Sequence, residues 1–350
     1  MNKKYKYTQA EIAAANKVDI VSYCQDRGIN LQQISNDEFR GVEHDSLVIT
    51  RSKNAFFWNS RQIHGRGALN FAKDYELENE STPKEKRFML AMERVTNSNA
   101  SEFVKAKSVE RTPFKLDKAQ FDTKFSKAWS YLVKTRGLNS KLVNFYHDQS
   151  LIKQDKYGNA IFLWKEPQTN KIVGASKQGT WIDHDKYGKR GTLKQIEKNS
   201  TYGFGASFPS ADLIKEKQLP EKMIFFESPI DALSYSNCHP KNTRTLFISM
   251  EGLKEEVFKN YLKIAGQNNW PVREVSLGVD NDEAGCNFVT KMQKNMPGVQ
   301  NEQPDKKFGK DWNDILRTYR QQEKIKSLNQ NPKKNLAKRQ ALLKRASRMR

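Results

Sequence analysis

A length of 350 residues, 37% hydrophobic and 11% aromatic, excludes a wholly disordered chain and predicts two or three domains with cores of their own. The formal net charge of +21, from 61 Lys and Arg against 40 Asp and Glu, points to a polyanionic partner, nucleic acid above all, with a merely soluble basic protein as the alternative. Cys24, Cys238 and Cys286 are far apart and odd in number, which implies neither a disulfide framework nor a cysteine zinc site.

In chain order, residues 9–26 read as a helix with Ile12, Val18, Ile20, Val21 and Tyr23 as its apolar positions, stopped by Gly28. Strand-like runs follow at 46–50 and 55–58, then a turn at His64-Gly65-Arg66-Gly67 and a helix over 68–75. A polar helical stretch, 83–107, leads to a linker around Pro113. In a second module, Phe125, Trp129, Leu132 and Val133 have helical spacing, Arg136-Gly137-Leu138 breaks it, and residues 139–148 resume it. Strand runs at 160–164 and 172–176, separated by Pro167 and Asn170, predict a hairpin before a glycine-punctuated region.

From about Glu221 strand alternates with helix: Met223–Phe226, a helix capped by Ser228 with Pro229 at its first position, Thr245–Ser249, a Glu251-Gly252 turn and a helix over 253–265, then Arg273–Val279 and a helix over 284–295. This rhythm predicts a parallel α/β sheet with right-handed crossovers. The two earlier modules read as α+β. The last stretch, 322–350, holds ten Lys and Arg against one acid, Glu323, and so supplies +9 of the net charge. It reads as a basic arm that binds nucleic acid or stays solvated, with Lys338, Arg339, Lys344 and Arg345 as candidate contacts. The predicted division is 1–110, 111–219, 220–321 and a tail of 322–350. The first residues lack the apolar core of a secretory signal and no run reaches the length of a membrane span, so the expectation is a cytoplasmic protein with no membrane partner.

The chemistry is concentrated in the third module. Glu227 ends its first strand; Asp280 and Asp282 end its third. In a parallel sheet the ligand site lies beyond the carboxyl ends of the strands, so carboxylates delivered there converge although distant in sequence. Paired hard oxygens suit Mg²⁺ or Mn²⁺, which can neutralise phosphoryl charge. Asp231 lies one helical turn after Glu227, and Asp311 and Asp314 add a later acidic cluster beside Lys310. Each acid taken singly is better explained as structural, a helix cap in the case of Asp282; taken together, on successive strand ends, they favour a metal site. Glu227, which closes the apolar run MIFF, resists the structural reading, because a carboxylate there is costly unless something binds it.

The segment Ile224-Phe225-Phe226-Glu227-Ser228-Pro229-Ile230-Asp231-Ala232-Leu233, followed by Asp280-Asn281-Asp282-Glu283-Ala284-Gly285 and Lys310-Asp311-Trp312-Asn313-Asp314, resembles the Toprim family of primases and topoisomerases over about residues 220–320. The resemblance implies that Glu227 and Asp231 are catalytic and that Asp280, Asp282, Asp311 and Asp314 hold the metal; Asn313 stands where primases often carry an acid. Residues 131–176 resemble the uncharacterised domain that precedes Toprim in plasmid and mobile-element proteins, where Lys134, Arg136 and Lys177 would guide a template. The N-terminal module resembles a primase zinc ribbon whose cysteines are gone; His44 and His64 are too few for a four-ligand site, so no zinc is expected. Phe56, Phe57 and Trp58 combine core packing with the chance of stacking on bases.

These resemblances imply a DNA primase-like nucleotidyltransferase of the DNA-directed RNA polymerase type. It would act on single-stranded DNA and nucleotides in plasmid replication or conjugative transfer, with a relaxase or helicase as partner. A Toprim nuclease in plasmid mobilisation and a non-catalytic nucleic-acid-binding accessory are the alternatives.

Overall fold

The computed structural model describes residues 7–35, 37–104, 112–188 and 191–329. The chain folds as two compact units, 1–110 and 111–350.

In the first unit the expected helix over 9–26 is two helices, Gln9–Lys17 and Ile20–Asp26. Between them Val18 is extended and bridges to Glu102, and Asp19 Oδ1 accepts from Ser22 N at 2.7 Å to cap the second helix. Five strands form an antiparallel meander: β1 (Leu31–Gln33), β2 (Glu38–Gly41), β3 (Leu47–Thr50), β4 (Ala55–Trp58) and β5 (Ile63–Arg66). The expected turn at 64–67 is therefore strand β5, ended by Gly67. That glycine has φ +75, and a Cβ on it would stand 2.0 Å from Asn16 O. Alternation along the strands sends Phe39, Leu47, Ile49, Phe56 and Trp58 into the core, where Leu69, Phe71, Tyr75 and Leu77 of the following helical segment meet them. The predicted helix over 83–107 spans Lys84–Thr96.

Among its described residues the second unit has two sheets. Strands β6 (Ile152–Gln154), β7 (Ala160–Lys165), β8 (Ile172–Gln178) and β9 (Lys194–Ile196) form an antiparallel sheet in chain order, so the predicted hairpin is present with a strand added on each side. Strands β10 (Ser207–Pro209), β11 (Lys222–Phe226), β12 (Thr245–Ser249), β13 (Glu274–Leu277) and β14 (Gln300–Asn301) form the other, in the order β10-β12-β11-β13-β14. Strands β12, β11, β13 and β14 are parallel, whereas β10, which lies before residue 220, joins the edge antiparallel to β12.

Pleating puts Met223 and Phe225 on one face of β11, with Phe258, Tyr261 and Met292, and Ile224 and Phe226 on the other, with Tyr146, Phe162, Phe208 and Tyr235. Each buried aromatic is worth about 1.5–3 kcal/mol of transfer free energy. The second of these cores is shared by residues on both sides of position 220. A helix over Trp312–Asn329 carries the chain beyond residue 322, so Glu323, Lys324 and Lys326 belong to a helix. Lys338, Arg339, Lys344 and Arg345 lie outside the described residues.

Candidate active site

The chain passes from β11 to β12 on one side and then returns to place β13 on the other side of β11. The crevice where such a sheet changes direction opens at the carboxyl ends of β11 and β13. Glu227 follows β11 there, and Asp280 stands just past β13.

Backbone bonds bring the acidic segments together. Asp280 N donates to Glu227 Oε1 at 3.2 Å, and Gly252 N donates to the Glu227 carbonyl at 2.7 Å. Asn281 N donates to the Lys310 carbonyl at 2.7 Å, which ties the Lys310–Asp314 segment to the loop after β13. A Cβ on Gly285 would lie 2.0 Å from Asp280 O, so this glycine permits the close turn into the helix over Glu283–Asn295. Asp282 Oδ1 caps that helix by accepting from Gly285 N at 3.0 Å. Its other oxygen faces Lys310, so the capping role and a place in the acidic group coexist.

Asp231, 7% exposed, accepts from Ser228 Oγ at 2.6 Å and from Asn313 N at 3.3 Å. Asn313, 2% exposed, donates from Nδ2 to Arg136 O at 2.8 Å and to Ser234 Oγ at 3.0 Å. Arg136 also donates to Asn313 Oδ1 and Tyr131 Oη and lies over the Tyr131 ring. Asp311 Oδ1 accepts from Asp314 N at 2.7 Å.

The acids crowd one another. Burial, then the charges of Asp282 and Asp231, push Glu227 up to about 7. Burial, then Asp311 and Asp280, push Asp231 up to about 7; burial, then Glu227 and Asp311, do the same to Asp280. Burial and Asp311 also raise Asp314. An ammonium group lies between two of them: Lys310 Nζ is 3.4 Å from Asp280 Oδ2 and 3.6 Å from Asp282 Oδ2. Burial opposes its charge, but Asp280 and Asp282 outweigh burial and hold Lys310 above its ordinary value. The donors are hard oxygens, their negative charge exceeds what Lys310 supplies, and its ammonium marks where a cation is favoured, so the residues fit Mg²⁺ or Mn²⁺. Among the described residues, no three His, Cys, Asp or Glu side chains stand at the spacing of a complete metal site. Water and phosphate oxygens would have to complete the coordination.

The other expected contacts divide. Lys134 is exposed. Arg136 is engaged as above, and Lys177 is held by Glu197 at 2.9 Å and Gln120 at 3.0 Å with its side chain 14% exposed. In the first unit His44 lies on the core side, its Nδ1 3.0 Å from Tyr75 Oη, while His64 is exposed on the outer face opposite Phe57, so the two histidines do not converge. Two residues of the site, Glu251 and Asn313, are not expected from the sequence. Glu251 follows β12 by two residues with φ +55; its carboxylate accepts from Ser176 Oγ at 3.0 Å and is raised first by burial. An acid followed by glycine at a strand's carboxyl end is the available signal for Glu251. Asn313 sits inside an acidic motif, but nothing local announces a buried hub.

Residues 224–316 match the Toprim-like family, and residues 130–211 match a family described as a protein of unknown function, DUF3991. An uncharacterized Bacillus anthracis protein, pXO2-78, is 37% identical over 338 residues, spanning 91% of this chain and 92% of that one. The chain belongs to the same family as pXO2-78. Solved structures similar to this chain include the primase fragment of the bacteriophage T7 primase-helicase, at 14% identity and TM-score 0.40 over 79% of this chain and 93% of that one. The E. coli primase catalytic core is similar at 12% identity and TM-score 0.37, over 55% and 69% of the two chains. Among the described residues of this chain no helix is long and apolar enough to cross a membrane.

Proposed function

We propose that the protein is a metal-dependent, primase-like nucleotidyltransferase that makes short RNA primers on single-stranded DNA. The observation that carries this is the meeting of Glu227, Asp231 and Asp280 at the sheet's switch point, each pushed up to about 7, with Lys310 beside Asp280 and Asp282. Asp280 and Asp282 would hold Mg²⁺ or Mn²⁺, with Asp311 and Asp314 completing the acidic rim. When bound, the cation supplies neutralising charge for the phosphates. Glu227, poised near neutrality, takes the proton from the attacking 3′-hydroxyl. Asp231, fixed by Ser228 and Asn313, positions the helix that follows Glu227. Lys310 and the exposed Lys134 meet phosphates, and residues 322–350 add sequence-independent attraction for the strand.

We assign catalysis to residues 220–321, template support to 111–219 and a further, zinc-free module to 1–110, in a cytoplasmic protein. We place it in plasmid replication or conjugative transfer, beside a helicase or relaxase; of this, the relative's name bears on the plasmid setting alone. The test is incorporation of labelled ribonucleotides on single-stranded DNA with Mn²⁺, comparing wild type with Asp280→Asn. Primers from wild type alone are expected. Absence of product from wild type overturns the proposal, and metal-dependent strand cleavage in its place would assign a nuclease.

A further inference from the structure

The hairpin formed by β8 and β9 has features that the acidic site does not use. Strand β9 is the edge of its sheet, and Lys194, Gln195 and Ile196 are all exposed. In the register Ser176 pairs with Ile196 and Gln178 with Lys194, so Lys194 projects from the same face as Ser176. Ser176 donates to Glu251 at the rim of the acidic site. One end of the hairpin therefore borders the site.

The other end is a preformed knob. Asp183 N donates to Gly191 O at 2.7 Å, Gly191 N to Gly188 O at 3.0 Å, and Gly179 N to Leu193 O at 2.8 Å. Thr180 Oγ1 donates to Gly158 O at 2.9 Å, which fastens the knob to the β6–β7 turn. On this knob Trp181 is 50% exposed and Ile182 71%; on the adjoining turn Tyr157 is 80% exposed. Trp181 meets Tyr187 edge to face at 6.3 Å, and Lys186 Nζ lies 5.4 Å over the Tyr187 ring. Exposed aromatic side chains gathered in one patch mark an interaction surface.

We propose that this hairpin is a single-strand track, with unpaired bases stacking on Trp181, Tyr187 and Tyr157 and phosphates meeting Lys186 and Lys194 on the way to the acidic site. The inference rests on the single-stranded template of the proposed function. Charge argues for that occupant. From Lys186 to Lys194 the sequence holds Lys186, Lys189, Arg190 and Lys194 with no acid, in a chain of net charge +21. Of the two acids just before that run, Asp183 is occupied in capping the short helix over His184–Tyr187, which leaves Asp185 as the exposed counter-charge. Aromatic rings interleaved with lysines bind single strands with little regard to sequence, because every base has a face to stack. Bases in a duplex are already stacked and offer no such face.

The test uses the full chain, a fluorescein-labelled oligothymidylate and a duplex of the same length, each titrated over a range of salt. Trp181→Ala is expected to weaken single-strand binding by about 5- to 150-fold, the range for one base that no longer stacks on a ring, and to leave duplex binding unchanged. Trp181→Phe retains most of the affinity. Lys186→Ala should flatten the slope of log affinity against log salt by about 0.7. Tyr202→Ala, an aromatic 69% exposed outside the hairpin, is the control and should bind as wild type does. Mn²⁺ affinity, read by electron paramagnetic resonance in the same samples, should not move in any of these variants. Unchanged single-strand affinity in Trp181→Ala overturns the track and leaves the exposed rings to a protein partner. If wild type binds no single strand, the track and the proposed template fall together.

Discussion

Asn313 offers a sharp test of how the acidic motifs are held. Its side chain makes three hydrogen bonds at 2% exposure, to Arg136 O, Ser234 Oγ and Arg136 Nη1. Replacing it with alanine leaves the Arg136 carbonyl and Ser234 without that donor in a place water does not reach. At about 1 kcal/mol per bond the loss is about 3 kcal/mol. For a unit of this size that corresponds to a fall in Tm of about 6–12 °C. Asn313→Asp keeps the volume and the acceptor for Arg136 but turns the donor facing Arg136 O at 2.8 Å into a second acceptor. It also brings a carboxylate towards Asp231, whose Oδ1 accepts from the Asn313 backbone N–H. The new acid would therefore be pushed above its ordinary value. A carboxyl whose folded value is raised adds stability that is present at low pH and lost as pH rises through that value. Asn313→Asp should thus approach wild type at acidic pH and fall away towards neutrality, while Asn313→Ala stays low throughout. Thermal and urea unfolding from acidic to neutral pH would measure both. A cost below about 1 kcal/mol for Asn313→Ala, or the absence of a pH-dependent difference between the variants, would refute the hub.

Four further outcomes are expected. Glu227→Gln should lower primer synthesis by about 10²–10⁴-fold with single-strand binding intact, measured by labelled nucleotide incorporation and fluorescence anisotropy. Lys310→Met should tighten Mn²⁺ binding in calorimetry, because the ammonium now beside Asp280 and Asp282 no longer competes for the same oxygens. Glu251 is raised by burial, so its contribution to stability is complete below its unfolded value and lost as pH climbs; Glu251→Gln should flatten the fall in stability as pH rises above the ordinary carboxylate range in denaturant titrations. Deleting residues 330–350 removes eight of the ten tail charges and should reduce the salt slope of single-strand binding by about 0.7 for each phosphate that the tail had neutralised.

The sequence by itself determined the strand and helix rhythm from Glu221 onward and the strand ends that carry Glu227 and Asp280. Both are local matters. The MIFF run is apolar at every position because both faces of β11 are covered, and Ser228-Pro229 starts a helix wherever it stands free to cap. Likewise the apolar, aromatic run AFFW set the limits of β4. Only the tertiary structure decided what lies between distant segments. It drew β10 from upstream into the Toprim-like sheet, pulled Lys177 into Glu197, placed Lys310 between two aspartates, and made Asn313 the link between Arg136 and Asp231. It also decided that Phe57 faces outward while Phe56 and Trp58 are buried. The physical reason is that periodicity records which side of an element is apolar, whereas the partner of a polar side chain is set by the folded path of the whole chain.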